Sequence, residues 1–296
     1  MIQFKKVATF LPLALIMLFM SCTENETSMD TPPSDTNVPE DNFIIQFKDN
    51  NLKKSIKEAL TITKEDISYS DIKAIDSLDL VVCNDFDNDG DVTTLSGIEN
   101  FTNLIHLKIT NTCDIKLSVK DLTPLETLSK LESLELNYSS IDDLTPLIGL
   151  ANLTTLKILR SEVADLSIIK GLKQLIDLDL EESLIEDFSD IKDLTNLTSL
   201  NLTSNDLKNN FDFLNTLTNL KKLNLTNCNI SAINAVSSLK SVEEITLRLN
   251  DISDIKSFCN LEASFNGLIN FSGNRMLDDA DIDNLKSCLP KANILF

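Results

Sequence analysis

Residues 131–196 read LESLELNYSSIDDLTPLIGLAN, LTTLKILRSEVADLSIIKGLKQ and LIDLDLEESLIEDFSDIKDLTN, three consecutive units of 22 residues. Laid over one another they share L-x-x-L-x-L-x-x-[NSTC]-x-[IVL], followed by apolar positions three apart up to the next unit. The last two leucines of L-x-x-L-x-L alternate with period two, which predicts a short strand that turns both inward. Apolar residues at threefold spacing suit 3₁₀ turns, whose side chains at i and i+3 eclipse. A unit of this size cannot cover its own leucines, so the units must stack and share one core.

Outward from this stretch, units begin at Ile75, Leu104, Leu131, Leu153, Leu175, Leu197, Leu220 and Val242, with spacings of 29, 27, 22, 22, 22, 23 and 22. A weaker unit holds Ile269, Phe271 and Asn274, and Ile294 with Phe296 supplies a last partial strand. Position 9 of the units reads Cys83, Thr112, Ser139, Ser161, Ser183, Asn205, Cys228 and Asn250. All are small, and most can bond backbone groups beneath the turn. Over about residues 75–296 the pattern resembles the leucine-rich-repeat family, in particular its internalin-like class with 22-residue repeats. The resemblance implies an α/β solenoid: a leucine-rich-repeat horseshoe with a parallel concave sheet, 3₁₀-type convex turns and a short helical N-terminal cap. It also implies that cysteine at position 9 substitutes for asparagine, so Cys83 and Cys228 are core residues rather than metal or redox groups.

The two long spacings mark insertions of seven residues between Cys83 and Val92 and of five between Thr112 and Val119. Entering adjacent units at the same point, they should lie side by side on one rim. The first, in CNDFDNDGDVTTL (83–95), sets Asp85, Asp87, Asp89 and Gly90 as the start of an EF-hand loop would. Ser96 stands where the bidentate glutamate belongs and the flanking helices are missing, which excludes an EF-hand. A weaker calcium loop on Asp85, Asp87, Asp89 and Asp91 and a plain solvated acidic turn both remain. Cys113 should sit beside Cys83, within reach of a bond, although the Cys83 side chain should point inward.

Before the repeats, Lys5 and Lys6, the apolar run Val7–Met20, and Ser21 have the layout of a secretory signal over residues 1–21. With Cys22 directly after Ser21, the segment resembles a bacterial lipoprotein signal, which implies lipidation at Cys22. Residues 22–41, rich in Pro, Ser, Thr and acids, read as a disordered tether. Glu24 and Glu26 resemble the export signal of surface-exposed lipoproteins in Bacteroides-like bacteria. Residues 42–74 read as the cap, with Asp49 capping a helix that carries Leu52, Ile56, Ala59 and Leu60 on one face. Thr63 with Asp66 is expected to open a second turn towards Ile72. Residues 75–265 are the repeats, and 266–296 a degenerate unit with a C-terminal cap at Leu277–Leu289. Cys259 and Cys288, both near that end, are either a disulfide or two buried thiols.

The net charge of −20 argues against nucleic acid and against electrostatic attraction to an anionic membrane. The concave face consists of positions 3, 5 and 7, and its candidate protein-binding residues are Glu135, Lys157, Asp177, Asp179, Glu181 and Arg248. Asp177, Asp179 and Glu181 form an acidic cluster suited to a basic protein patch. The chain has no Trp, so an aromatic platform for sugars is not expected. His106 is the only histidine and has no nucleophile partner in the pattern, so no enzymatic activity is expected. The expectation is a monomer of the cell envelope, held at the outer membrane and surface-exposed through its N-terminal lipid alone. It would recognise a protein partner, with Ca2+ as the one cofactor to consider. A structural envelope lipoprotein without a ligand, or a calcium-dependent binding module, are the alternatives.

Overall fold

The computed structural model describes residues 39–82, 92–111, 118–137, 139–208, 210–262 and 264–296, and residues 39–296 make one compact unit. Ten strands form one parallel sheet in chain order. They are β1 (Ser77–Val82), β2 (His106–Asn111), β3 (Ser133–Asn137), β4 (Thr155–Leu159), β5 (Asp177–Asp179), β6 (Ser199–Asn201), β7 (Lys222–Asn224), β8 (Glu244–Thr246), β9 (Leu268–Asn270) and β10 (Asn293–Leu295). One inward column fixes the register: Leu78, Leu107, Leu134, Leu156, Leu178, Leu200, Leu223, Ile245, Ile269 and Ile294 pair in turn. These are the offsets read from the repeat starts, so the leucine pattern alone dictates the sheet. From Leu78 and Leu80 to Ile269 and Phe271, both inward residues of each strand are no more than 2 % exposed.

Opposite the sheet the chain turns through short 3₁₀ segments, among them Thr123–Leu125, Thr145–Leu147, Ile169–Gly171 and Ser189–Asp193. Each buries one apolar residue: Leu125, Leu147, Ile169 and Ile191 respectively. A column that the sequence reading missed opens these turns. The Oδ1 atoms of Asp121, Asp143, Asp165 and Asp187 accept the backbone N–H two residues on, at 2.8, 2.8, 2.7 and 2.8 Å. The carboxylate satisfies an N–H that a helical turn leaves without a partner. The Thr123 and Thr145 side chains, with their N–H groups, hold Asp121 and Asp143 below the usual carboxylate range.

Position 9 joins neighbouring coils. Asn250 Nδ2 donates to the carbonyls of Leu225, Leu247 and Arg248, while its Oδ1 accepts from the N–H groups of Cys228 and Ile230. Asn205 and Asn274 make the same bridge to the coil before them. Cys228 packs in this column as expected of a core residue; burial pushes its thiol up to about 11, so it stays protonated and unreactive. Ser139 is equally buried, yet among the described residues its Oγ has no hydrogen-bond partner. Just before this column, position 8 turns left-handed, with φ of 54° at Arg160, 53° at Glu182 and 54° at Leu249. The last unit places a glycine there, Gly273 at 87°; Arg160, Glu182 and Leu249 each bear a strain of about 1 kcal/mol.

At the N-terminal end, α1 (Asn50–Ala59) is capped by Asp49, whose Oδ1 accepts the N–H groups of Asn51 and Leu52. Its Oδ2 accepts from Thr93 N and Oγ1 at 2.8 and 2.9 Å, which ties the cap to the first repeat. Leu52 and Ile56 are buried, but Ala59 is exposed, so the packed face is narrower than the sequence pattern. The second turn also differs from expectation. It is α2 (Tyr69–Ile72), closed by a capping box in which Ser68 N–H donates to Asp71 Oδ2 at 2.7 Å. Asp66 instead pairs with Lys53 at 2.9 Å. Ser68 and Asp71 have the S-x-x-D spacing that the box requires and immediately precede Ile72, whereas Thr63 and Asp66 lie one turn too early.

At the other end, α3 (Asp279–Cys288) is capped by Asp278 and buries Leu285. The Cys259–Cys288 disulfide joins it to the 3₁₀ segment Lys256–Asn260, which settles that pair as bonded rather than as two thiols.

The position-9 column predicts two opposite outcomes in chemical denaturation. Asn250→Ala strands four buried backbone groups and one part-buried carbonyl and should lower the unfolding free energy by about 2–4 kcal/mol. Ser139→Ala removes a hydroxyl that has no partner among the described residues and should change stability by no more than about 0.5 kcal/mol, in either direction.

Candidate recognition face

The face of the sheet away from the core carries the residues at positions 3, 5 and 7. On β2 to β5 it is a strip of paired charges. Lys108 Nζ lies 3.3 Å from Glu135, and Lys157 Nζ lies 3.4 Å from Asp177. Glu135 and Lys157 are register partners, as are Lys157 and Asp179. The ammonium of Lys157 therefore bonds diagonally, to Asp177 rather than to its direct neighbour Asp179. Just beyond the strands, Arg160 Nε lies 3.0 Å from Glu182. Each such pair, partly exposed, contributes no more than about 1 kcal/mol; their effect is to fix where charge remains.

What remains is the pair Asp179 and Glu181. Burial pushes the Asp179 carboxyl above its ordinary range, and the Asp177 charge adds to this. Bonds from Asn201 Nδ2 at 3.0 Å and from the Glu181 N–H at 3.1 Å oppose the rise without cancelling it. Glu181 is also raised, first by burial and then by Asp179, against the pull of Arg160. The pair thus holds negative charge that is only partly compensated.

Local structure explains why an acid tolerates this place. Asn201, Asn224 and Asn270, at the same position of later repeats, each accept the N–H two residues on with Oδ1, at 3.1, 3.1 and 3.0 Å. Asp179 makes the same strand-ending bond. Its carboxylate does there what the amides of those three asparagines do.

Of the residues proposed from sequence, the fold brings Glu135, Lys157, Asp177, Asp179 and Glu181 onto three adjacent strands and their ends. It does not bring Arg248 to them. Arg248 is exposed after β8, three strands from β5, or about 14 Å at the usual strand spacing. Lys108, Arg160 and Glu182 also belong to the charged strip; Lys108 and Glu182 are legible as face positions, but pairing across strands, which depends on rotamers, is not visible in spacing. His106 is exposed at the start of β2. Cys22, Cys83, Cys113 and the proposed calcium ligands Asp85, Asp87, Asp89 and Asp91 lie outside the described residues. Among the described residues no cluster of three or more His, Cys, Asp or Glu could hold a metal ion, and no helix is long and apolar enough to cross a membrane.

No protein-family model and no curated protein matches the chain. Solved structures do. An internalin (InlF) of Listeria monocytogenes is 25 % identical with a TM-score of 0.68, over 84 % of this chain and 68 % of that one. Internalin C2 of the same organism is 29 % identical with a TM-score of 0.56, over 73 % of this chain and 90 % of that one. The fold is a leucine-rich-repeat horseshoe. Its structural neighbours are bacterial internalin-like proteins, and the architecture extends to a leucine-rich-repeat protein of Leptospira interrogans, 18 % identical with a TM-score of 0.53 over 76 % of this chain and 73 % of that one.

The geometry of Asp179 yields a pH test. A carboxyl raised in the folded state opposes folding once it ionises, so its effect on stability worsens as pH rises from the ordinary carboxylate range through the raised value. Asp179→Asn keeps an Oδ1 acceptor for Glu181 N–H and removes the charge. Melting temperatures measured between about pH 4 and 7 should show the variant gaining on the parent as pH rises. A constant difference across that range would contradict the assignment.

Proposed function

We propose that this protein is a lipid-anchored, surface-exposed recognition protein whose concave face binds a basic patch on a protein partner. One observation carries the reading: Asp179 and Glu181 are held above the ordinary carboxylate range on a face where Lys157, the lysine of the adjacent strand, is already engaged by Asp177. A guanidinium or ammonium group brought by a partner would relieve that unfavourable charge, which favours a cationic ligand over a neutral one. Around the pair, Asn201, Thr203 and Lys222 offer hydrogen-bonding groups on a sheet held rigid by its core. Arg248, three strands away, would contact a different part of a large partner.

Export is supported by the Cys259–Cys288 disulfide, a bond that forms and persists in oxidising compartments. It accords with a signal over residues 1–21 and attachment through Cys22, and the internalin-like neighbours accord with a recognition role. Calcium at Asp85, Asp87, Asp89 and Asp91 would act through the insertion that follows β1 in the chain rather than through Asp179 and Glu181, so its removal separates the two sites.

Two experiments test the reading. Affinity capture with the mature ectodomain should retain a reproducible protein that elutes with salt. Asp177→Lys, Asp179→Lys and Glu181→Lys together should weaken retention by at least about tenfold, roughly 1.4 kcal/mol. Undiminished capture by the triple variant would move the site away from β5, and a difference between calcium and chelator would assign a role to the acidic loop. Separately, metabolic labelling with a fatty-acid analogue should mark the wild-type chain and not Cys22→Ala; equal labelling would end the proposed anchor.

A further inference from the structure

The acidic end of the concave face has a counterpart three coils on, and one row of residues joins the two. Position 7 of successive coils is occupied by Leu159, Glu181, Thr203, Thr226, Arg248 and Ser272. From Glu181 on, the row lies just past the strand ends, yet it keeps the spacing of the sheet. The carbonyls of Glu181, Thr203, Thr226, Arg248 and Ser272 accept the N–H groups of Arg160, Glu182, Ser204, Asn227 and Leu249, at 2.8 to 3.0 Å. Three steps of about 4.8 Å therefore set the backbone of Glu181 about 14 Å from that of Arg248.

Between the two charges the floor is low and fixed. Thr203 and Thr226 are half-buried, and their hydroxyls donate to the Oδ1 atoms of Asn201 and Asn224 at 2.7 Å. A β-branched side chain held by such a bond keeps one rotamer, so nothing long rises between Glu181 and Arg248. Glu181 holds charge that Arg160 compensates only in part. Arg248 is exposed, and among the described residues no carboxylate engages its guanidinium. Its neighbours in the row, Thr226 and Ser272, carry no charge; Glu244, the acid of its own strand, lies four residues back, about 13 Å away.

The row thus offers one acid and one base at a fixed separation, and that separation selects a backbone. An extended chain places residues i and i+4 on the same side, about 13 Å apart. An α-helix needs about nine residues for the same rise, and those two residues fall on opposite faces.

We propose that the concave face binds an extended segment of a partner protein that crosses the coils of β5 to β8, with a basic residue on Glu181 and an acidic residue four positions away on Arg248. This rests on the reading of Asp179 and Glu181 given above and adds to it a second contact, a spacing and a conformation. The residue midway lies over Thr203 and Thr226, where a short side chain fits. Arg248 presents a fork of N–H donors to the partner's carboxylate, whereas a second basic residue in that place meets like charge. A face with acids alone would take any cationic surface; the opposite charge at Arg248 restricts it to segments that carry both signs at this interval.

Blocked peptides of defined sequence, titrated into the isotope-labelled protein and followed by NMR, test this. The core Arg-Ser-Thr-Ser-Glu should shift the amide signals of Glu181, Thr203, Thr226 and Arg248. It should bind about fivefold more tightly than Arg-Ser-Thr-Ser-Gln, the increment of one partly exposed ion pair. Moving the glutamate two places closer, as in Arg-Ser-Glu-Ser-Thr, should lose that increment. In Arg248→Glu, a change at an exposed side chain, the order should reverse and the Gln peptide should bind more tightly than the Glu peptide. Equal binding of the two to the wild type, no binding of either, or an unchanged order in Arg248→Glu would overturn the crossing segment. The triple variant Asp177→Lys, Asp179→Lys and Glu181→Lys decides the reading beneath it: if the Gln peptide binds that variant as it binds the wild type, Asp179 and Glu181 are not the cation-binding site.

Discussion

A coil of 22 residues cannot shield its own leucines; only the next coil can. From this constraint most of the molecule follows. Two inward residues per strand must line up from coil to coil, and they do so from Leu78 and Leu80 to Ile269 and Phe271. Because side chains alternate along a strand, one extra residue between those two positions would turn the second to solvent. Added length is tolerated only where the chain has left the sheet. That is where both insertions enter, after β1 and after β2, and the register passes them unchanged.

Stacking solves the apolar problem and creates a polar one. Every coil turns backbone groups towards the interior, and these need partners. Asn205, Asn250 and Asn274 supply them with one amide bridging two coils, while the aspartates at 121, 143, 165 and 187 serve the N–H groups on the outer turns. Part of the net charge of −20 is thus structural. The overall acidity says little about a ligand, and the argument for recognition rests on the few carboxylates that cap nothing or, like Asp179, act as an asparagine does at the same position of later repeats.

This division also marks what was legible in advance. Leucine spacing is a strong periodic signal, and it gave strand order, register and the points of insertion. Asp49 was legible as a cap, but its second bond, to Thr93, joins residues far apart in the chain. The D-x-[ST] column passed unnoticed because two-residue spacings arise by chance in a chain with 46 acids. The recognition face was legible as a set of outward positions and not as a set of interactions. That Lys157 bonds Asp177 rather than Asp179 depends on strand twist and rotamer. Ile294 and Phe296 fit the repeat well in sequence, and their partial exposure is visible only in the structure.

On the reading proposed above, the concave face would select by charge, and salt would weaken it. The carboxylates do not count equally in such a selection. Asp121, Asp143, Asp165 and Asp187 are exposed on the outer turns and already serve N–H groups of their own coils. Asp179 and Glu181 are partly withdrawn from water, which raises both. A cation that reached this pair would therefore gain more from each contact than one that met a fully solvated carboxylate, because burial weakens the screening between them.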